Sequence, residues 1–212
     1  MRQIEVYMLC ACLFLGIFSY VQHSEYKELE LRFADAQAEL LEKQQIIERL
    51  QTVPKNMKGM NQSHLRNLID HTLSYLGERG NDWRRLILLT ICTESNMGAL
   101  LHQVRGPAKG IVQIEPSTEK EVLQWLKVKK PELYEKVRKL RVPARLHLHE
   151  AEYNNAYAVA LCYGVYLMRK VNPHKKDAKQ LAQVYKRYYN TVLGKATVPG
   201  VLAKLEEYGV RI

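Results

Sequence analysis

Two short stretches carry residues whose types and spacing could do acid–base chemistry. The first is LILLTICTES, 86–95, an apolar run that ends on Glu94 and Ser95. Ile87 and Ile91 precede Glu94 by seven and three residues, so on a helix the three share one face. If that face is buried, desolvation and the negative end of the helix dipole both penalise the ionised carboxylate. Its pKa then rises toward that of a group able to donate a proton near neutral pH. Periodicity alone also allows Glu94 to emerge from the helix end into solvent. The second stretch is GIVQIEPST, 110–118, which sets an amide, Gln113, and a second carboxylate, Glu115, in a Gly/Pro-punctuated loop.

The order of these stretches resembles the catalytic core of the soluble lytic transglycosylases and goose-type lysozymes, within the lysozyme-like superfamily. There a Glu-Ser pair ends a helix, and a Gly-hydrophobic-hydrophobic-Gln-hydrophobic-x-Pro-x-Thr loop follows. Here Gln113 stands nineteen residues after Glu94. NNAYAVALCYGVYLMRKV, 154–171, is similar to that family's Asn-x-x-x-Gly-x-x-Tyr-Leu helix, with Gly164, Tyr166 and Leu167 as its glycine, tyrosine and leucine, one residue instead of two between the first pair. LAQVYKRYYNT, 181–191, resembles its Tyr-Asn-Ala-Gly helix end, with Thr191 where alanine is usual. The resemblance covers roughly 80–195 and looks closest to phage-encoded members.

It implies a lysozyme-like helical domain that cleaves the β-1,4 bond between N-acetylmuramic acid and N-acetylglucosamine. Glu94 would be the single catalytic acid. Ser95, Gln113, Ile114, Glu115, Tyr189 and Asn190 would bind substrate or orient the acid, with Tyr188 as rival to Tyr189. A hydrolase would instead need a second carboxylate to activate water, a role open to Glu115 or Asp82, and a catalytically inactive structural or ejection component of a virion is the other alternative. Neither a cofactor nor a metal is expected. HLHE at 147–150 lacks the HExxH spacing, and its two histidines point about 200° apart on a helix.

The elements that must position these residues read as helices. Expected spans are 65–76, ending near Gly77 and Gly80, then one from Asn81 or Asp82 to about Gly98. Further helices are expected at 117–128, 131–140, 149–171, 177–189 and 198–208. A small β-hairpin or loop would carry Gln113. The fold class is therefore mainly α. The domain at 64–212 follows a linker, TVPKNMKGMNQS, at 52–63.

Upstream, residues 23–51 contain no Gly or Pro and repeat apolar positions at spacings of three and four. This predicts a coiled-coil-like helix able to form a homo-oligomer. Residues 4–21 form an apolar run of roughly 27 Å as a helix. That predicts a transmembrane or signal-anchor helix over 1–22, or a helix buried among virion proteins. The expected location is a virion, or the host inner membrane with the catalytic domain in the periplasm.

Charge is unevenly spread. Of 32 Lys/Arg and 22 Asp/Glu, residues 1–51 hold 5 and 8, leaving 27 and 14 in 52–212. A domain this basic is drawn to polyanions such as nucleic acid, anionic lipid or acidic wall polymers. No RNP, helix-turn-helix or zinc signature argues for specific nucleic acid; the resemblance implies peptidoglycan glycan strands as the partner. The four cysteines form no CxxC pair, and Cys92 and Cys162 sit in apolar helical contexts where a thiol packs as a small hydrophobe.

Overall fold

The computed structural model describes residue 32, residues 35–37, residue 41, and residues 59–103, 106–142, 149–191 and 194–212. The chain divides into two units, Met1–Pro54 and Lys55–Ile212. In the first, the described positions 32, 35–37 and 41 are helical. The rest of the expected 23–51 coiled coil, and the apolar 4–21 run, lie outside the described residues.

The expected membrane-spanning helix is corrected. Among the described residues no helix is long and apolar enough to cross a membrane. The longest described helices have 15 residues, about 22 Å at ~1.5 Å per residue, against a hydrocarbon core of about 30 Å.

The second unit is built of helices whose ends are written in the sequence. Helix α1 (Gln62–Leu76) starts where the Asn61 side chain accepts from the Ser63 backbone N–H at 2.8 Å, and stops at Gly77, whose φ of 98° suits glycine. Helices α3 (Pro116–Lys129) and α4 (Pro131–Leu140) each open on a proline, which needs no hydrogen-bond partner in the first turn. Helix α7 (Ala178–Tyr185) opens on a reciprocal capping box between Asp177 and Gln180. Thr197 caps α8 (Val198–Glu207).

The expected helix 149–171 is two helices. The Asn154 side chain accepts from the Tyr157 N–H at 3.0 Å and donates to the Leu140 carbonyl at 2.8 Å. It thereby ends α5 (Glu150–Tyr153) and starts α6 (Asn155–Met168) at an angle set by its own side chain. The expected helix 177–189 also changes character. After Tyr185 it widens into a π-helical turn, Lys186–Asn190, a feature often found at functional sites.

Helix α6 is the centre of the unit. It is apolar all round, with Tyr157 through Tyr166 buried, as a helix enclosed by others must be. At Gly164, a Cβ would lie 2.6 Å from a Val122 methyl of α3, so the two helices approach closely there. Helix α2 (Asn81–Ser95) buries its residues 86–92 against the same core. Truncating one of these leucines to alanine would cost about 2–5 kcal/mol.

Of the expected small β-hairpin or loop, the structure has the loop. Among the described residues its pairing consists of isolated antiparallel bridges, His102 with Lys109 and Lys109 with Ile114. They suffice to hold the Gln113 loop. Gly110 sits at its base with φ 74°, where a Cβ would run into the Ala151 carbonyl oxygen.

Candidate active site

Glu94 sits one residue before the end of α2, after the buried Leu89, Thr90, Ile91 and Cys92. Its helix stops there because residues 96–98 are all left-handed, with φ of 53°, 60° and 81°. These three residues turn the chain back sharply. The carboxyl is therefore held at a helix C-terminus, enclosed by protein yet opening on a cleft of about 540 Å³. Gln113, Glu115, Tyr188, Tyr189 and Asn190 line the same cleft.

The immediate partner of the carboxyl is Tyr185. Its hydroxyl donates to Glu94 Oε1 at 2.6 Å. Burial pushes the Glu94 pKa above the usual carboxylate range. Hydrogen bonds from Tyr185 and Asn190 and the positive charge of Lys204 oppose that rise without cancelling it. Lys204, on α8, donates to the Thr93 carbonyl at 2.6 Å. It thus places a cation at the carbonyl end of α2, where the dipole favours one. Oε1 is thus held as an acceptor by Tyr185.

Tyr189 lines the cleft without touching the acid. Its hydroxyl donates to the Val112 carbonyl at 2.8 Å, and its ring packs on Tyr166 and Tyr185 at centroid distances of 5.4 and 6.1 Å. It ties the helix end to the Gln113 loop and forms cleft wall. Tyr188 also faces the cleft, with the Arg187 guanidinium 5.2 Å above its ring. Neither hydroxyl meets the acid. Sequence reading missed Tyr185, although Leu181, Ala182 and Tyr185 form the buried stripe of α7, the pattern that points a side chain inward.

Ser95 is also reassigned. It is fully buried, its hydroxyl donates to the Ile91 carbonyl at 3.0 Å, and it accepts from the Gly98 N–H at 2.9 Å. Both hydroxyl contacts are to backbone, so Ser95 shapes the turn after the acid and does not line the cleft. Ile114 is 2 % exposed and pairs backbone to backbone with Lys109. It floors the cleft as an apolar residue.

Gln113 has φ 47°, left-handed for a residue that is not glycine. Its Nε2 donates to the Gly110 and Leu100 carbonyls at 2.8 and 3.2 Å. These bonds fix the amide against the loop at the cleft wall. Glu115 is exposed at the N-cap of α3, on the cleft rim. Asp82 lies in the first turn of α2, twelve residues or about 18 Å from Glu94, and bonds Arg85 and His174. It is too distant to serve as the second carboxylate.

The turn after the π segment is held by one lysine. Lys186 Nζ donates to Asn190 Oδ1 at 3.0 Å and to the Thr191 and Gly194 carbonyls at 2.8 and 2.7 Å. Thr191 adopts φ 63° and ψ 179°, a conformation nearly exclusive to glycine. Behind the acid, Cys92 and Cys162 are buried free thiols. Burial raises the Cys92 pKa to about 11, so its thiolate is suppressed.

The arrangement suits proton donation from one enclosed carboxyl into a cleft walled by tyrosines and amides. No protein-family description matches the chain, and no curated protein or solved structure matches it.

Proposed function

We propose that the Lys55–Ile212 unit is a lysozyme-like glycosidase of the lytic transglycosylase type, acting on peptidoglycan glycan strands with Glu94 as its only acid–base group. The observation that carries this reading is the Glu94 carboxyl itself. It has a raised pKa, receives one oriented hydrogen bond from Tyr185, and opens on the cleft.

In the first step Glu94 gives its proton to the glycosidic oxygen. The C1–O bond breaks and an oxocarbenium-like centre develops. The Glu94 carboxylate then removes the proton from the muramic acid 6-hydroxyl, whose oxygen bonds to C1. The product is a 1,6-anhydro ring, and Glu94 ends protonated as it began. Tyr185 holds the carboxyl in one orientation through both steps. The tyrosine and amide cleft wall supplies stacking faces and hydrogen-bonding groups suited to sugars.

A second reading rests on Glu115, the other carboxylate lining the cleft. In it Glu115 would activate water and the enzyme would be a hydrolase. Digestion of purified sacculi in ¹⁸O-water separates the two. Anhydro ends without label support the transglycosylase; labelled reducing ends support the hydrolase and implicate Glu115. If no glycan fragment is released, the glycosidase reading falls.

A further inference from the structure

The catalytic cleft does not end at Tyr188. That side chain also lines a second groove of about 390 Å³, walled by Lys170, Val171, Lys176, Gln183 and Arg187. The groove lies between the turn that follows α6 and the outer side of α7 and its π segment. Three cations line it, and no carboxylate does. Among the described residues none of the three forms an ion pair. Arg187 instead rests on the Tyr188 ring. Like charges gathered without counter-charge repel one another, a cost that an anionic ligand relieves.

Lys170 adds a second sign. Its φ is 54°, a position just past a helix end where glycine is favoured. A lysine there carries backbone strain that glycine would avoid, while presenting an exposed ammonium to the groove.

We propose that this groove is a subsite for the carboxylates of the stem peptide on the glycan strand that Glu94 cleaves, so that the enzyme selects peptide-bearing over bare strands. The proposal rests on the peptidoglycan reading above. Its chemistry is ordinary: peptide carboxylates dock on Lys170, Lys176 and Arg187, while the sugar from which the peptide branches stacks near Tyr188, the residue common to both cavities. The contacts are solvent-exposed, so each is modest and sensitive to salt.

The test compares the full-length protein with Lys170→Gly/Lys176→Gln. Glycine suits the left-handed position, so the variant is expected to fold. Arg187 is left in place because it supports Tyr188. The substrates are glycan strands bearing stem peptides and the same strands stripped of peptide by an amidase. The variant should lose up to about tenfold in kcat/KM on peptide-bearing strands, as two exposed charge contacts allow. On bare strands it should stay within about twofold of the wild type. Equal loss on both substrates, or loss on neither, overturns the subsite.

A binding arm separates this failure from failure of the catalytic reading. A soluble peptide-bearing muropeptide is titrated while backbone amide shifts of residues 170–188 are followed. If the wild type cleaves neither strand, the glycosidase reading falls. Shifts that vanish in the variant then still support the groove. Absent shifts, or shifts unchanged in the variant, overturn it.

Discussion

The Tyr185 hydroxyl donates to Glu94 Oε1 at 2.6 Å, across from the helix that carries the acid. One oxygen of the carboxyl is thereby fixed as an acceptor. Tyr185→Phe should lower kcat by about 10- to 100-fold, the loss expected for a hydrogen bond to a group that becomes charged. KM should change little. Because the bond lowers the Glu94 pKa, its removal should move the alkaline limb of the pH–rate profile upward. Tyr189→Phe, which loses the bond to Val112 and keeps the Tyr185 bond to the acid, should leave that limb in place.

Lys204 places a positive charge near Glu94 and holds the Thr93 carbonyl. The groups facing Glu94 besides Lys204 are Tyr185 and Asn190, with Tyr189, Tyr166 and Cys162 farther back. Among the groups that influence the Glu94 titration, Lys204 supplies the positive charge. Lys204→Met should therefore also shift the alkaline limb upward, and should cost about 1 kcal/mol of stability through loss of the helix-end contact. A pH profile and a thermal melt on the same sample check both parts.

Much of this scaffold was legible in the sequence, because helix ends here are chemical events. Pro116 and Pro131 open helices, Gly77 closes one, and Asp177 with Gln180 caps another. The Glu94 environment was legible for a similar reason: Ile87 and Ile91 mark the face it shares. The identity of the acid's tyrosine was not. Tyr185 and Tyr189 lie four residues apart, and helical periodicity puts both on one side. The widened turn at Lys186–Asn190 decides which hydroxyl reaches the carboxyl, and no local residue pattern specifies that turn. The backbone bonds of Ser95 were not legible either, because a serine at a helix end can bond backbone as readily as a neighbour's side chain. Asn154 did carry its signal, an Asn-Asn pair inside an apolar helix, and its capping role breaks the expected span.

Ser95→Ala should test that reassignment. Losing the bonds to Ile91 and Gly98 should destabilise the unit by about 1–2 kcal/mol. Activity per folded molecule should stay within about threefold of wild type, which denaturant unfolding and rate measurement at low temperature can resolve. A hundredfold fall in kcat with unchanged stability would restore Ser95 to the reaction.

Stability and function should oppose one another at Glu94. Its pKa is raised in the folded state, so the folded protein binds this proton more tightly than the unfolded chain does. The stability tied to it is fully present below the unfolded pKa of about 4.3. It is lost as pH rises through the folded value. Glu94→Gln keeps an acceptor for Tyr185 and removes the charge. Its melting temperature should exceed the wild type's at pH 7 by a few degrees, and the gap should close near pH 4. Equal melting temperatures at both pH values would show that burial does not strain the carboxylate.

Thr191 should behave as a strained residue held by Lys186. Thr191→Gly should stabilise the unit by about 1 kcal/mol, the gain expected when a residue in a glycine-only conformation is relieved. Lys186→Met should remove that restraint and lower thermal stability.

The central claim is that Glu94 alone supplies the proton. Its most direct test is the rate at which full-length wild type and Glu94→Gln release soluble fragments from purified sacculi, at equal concentrations of folded protein. A general acid contributes roughly 10²–10⁴ in rate, so the variant should fall by at least about a hundredfold while its circular dichroism is unchanged. Release within tenfold of wild type would contradict the account.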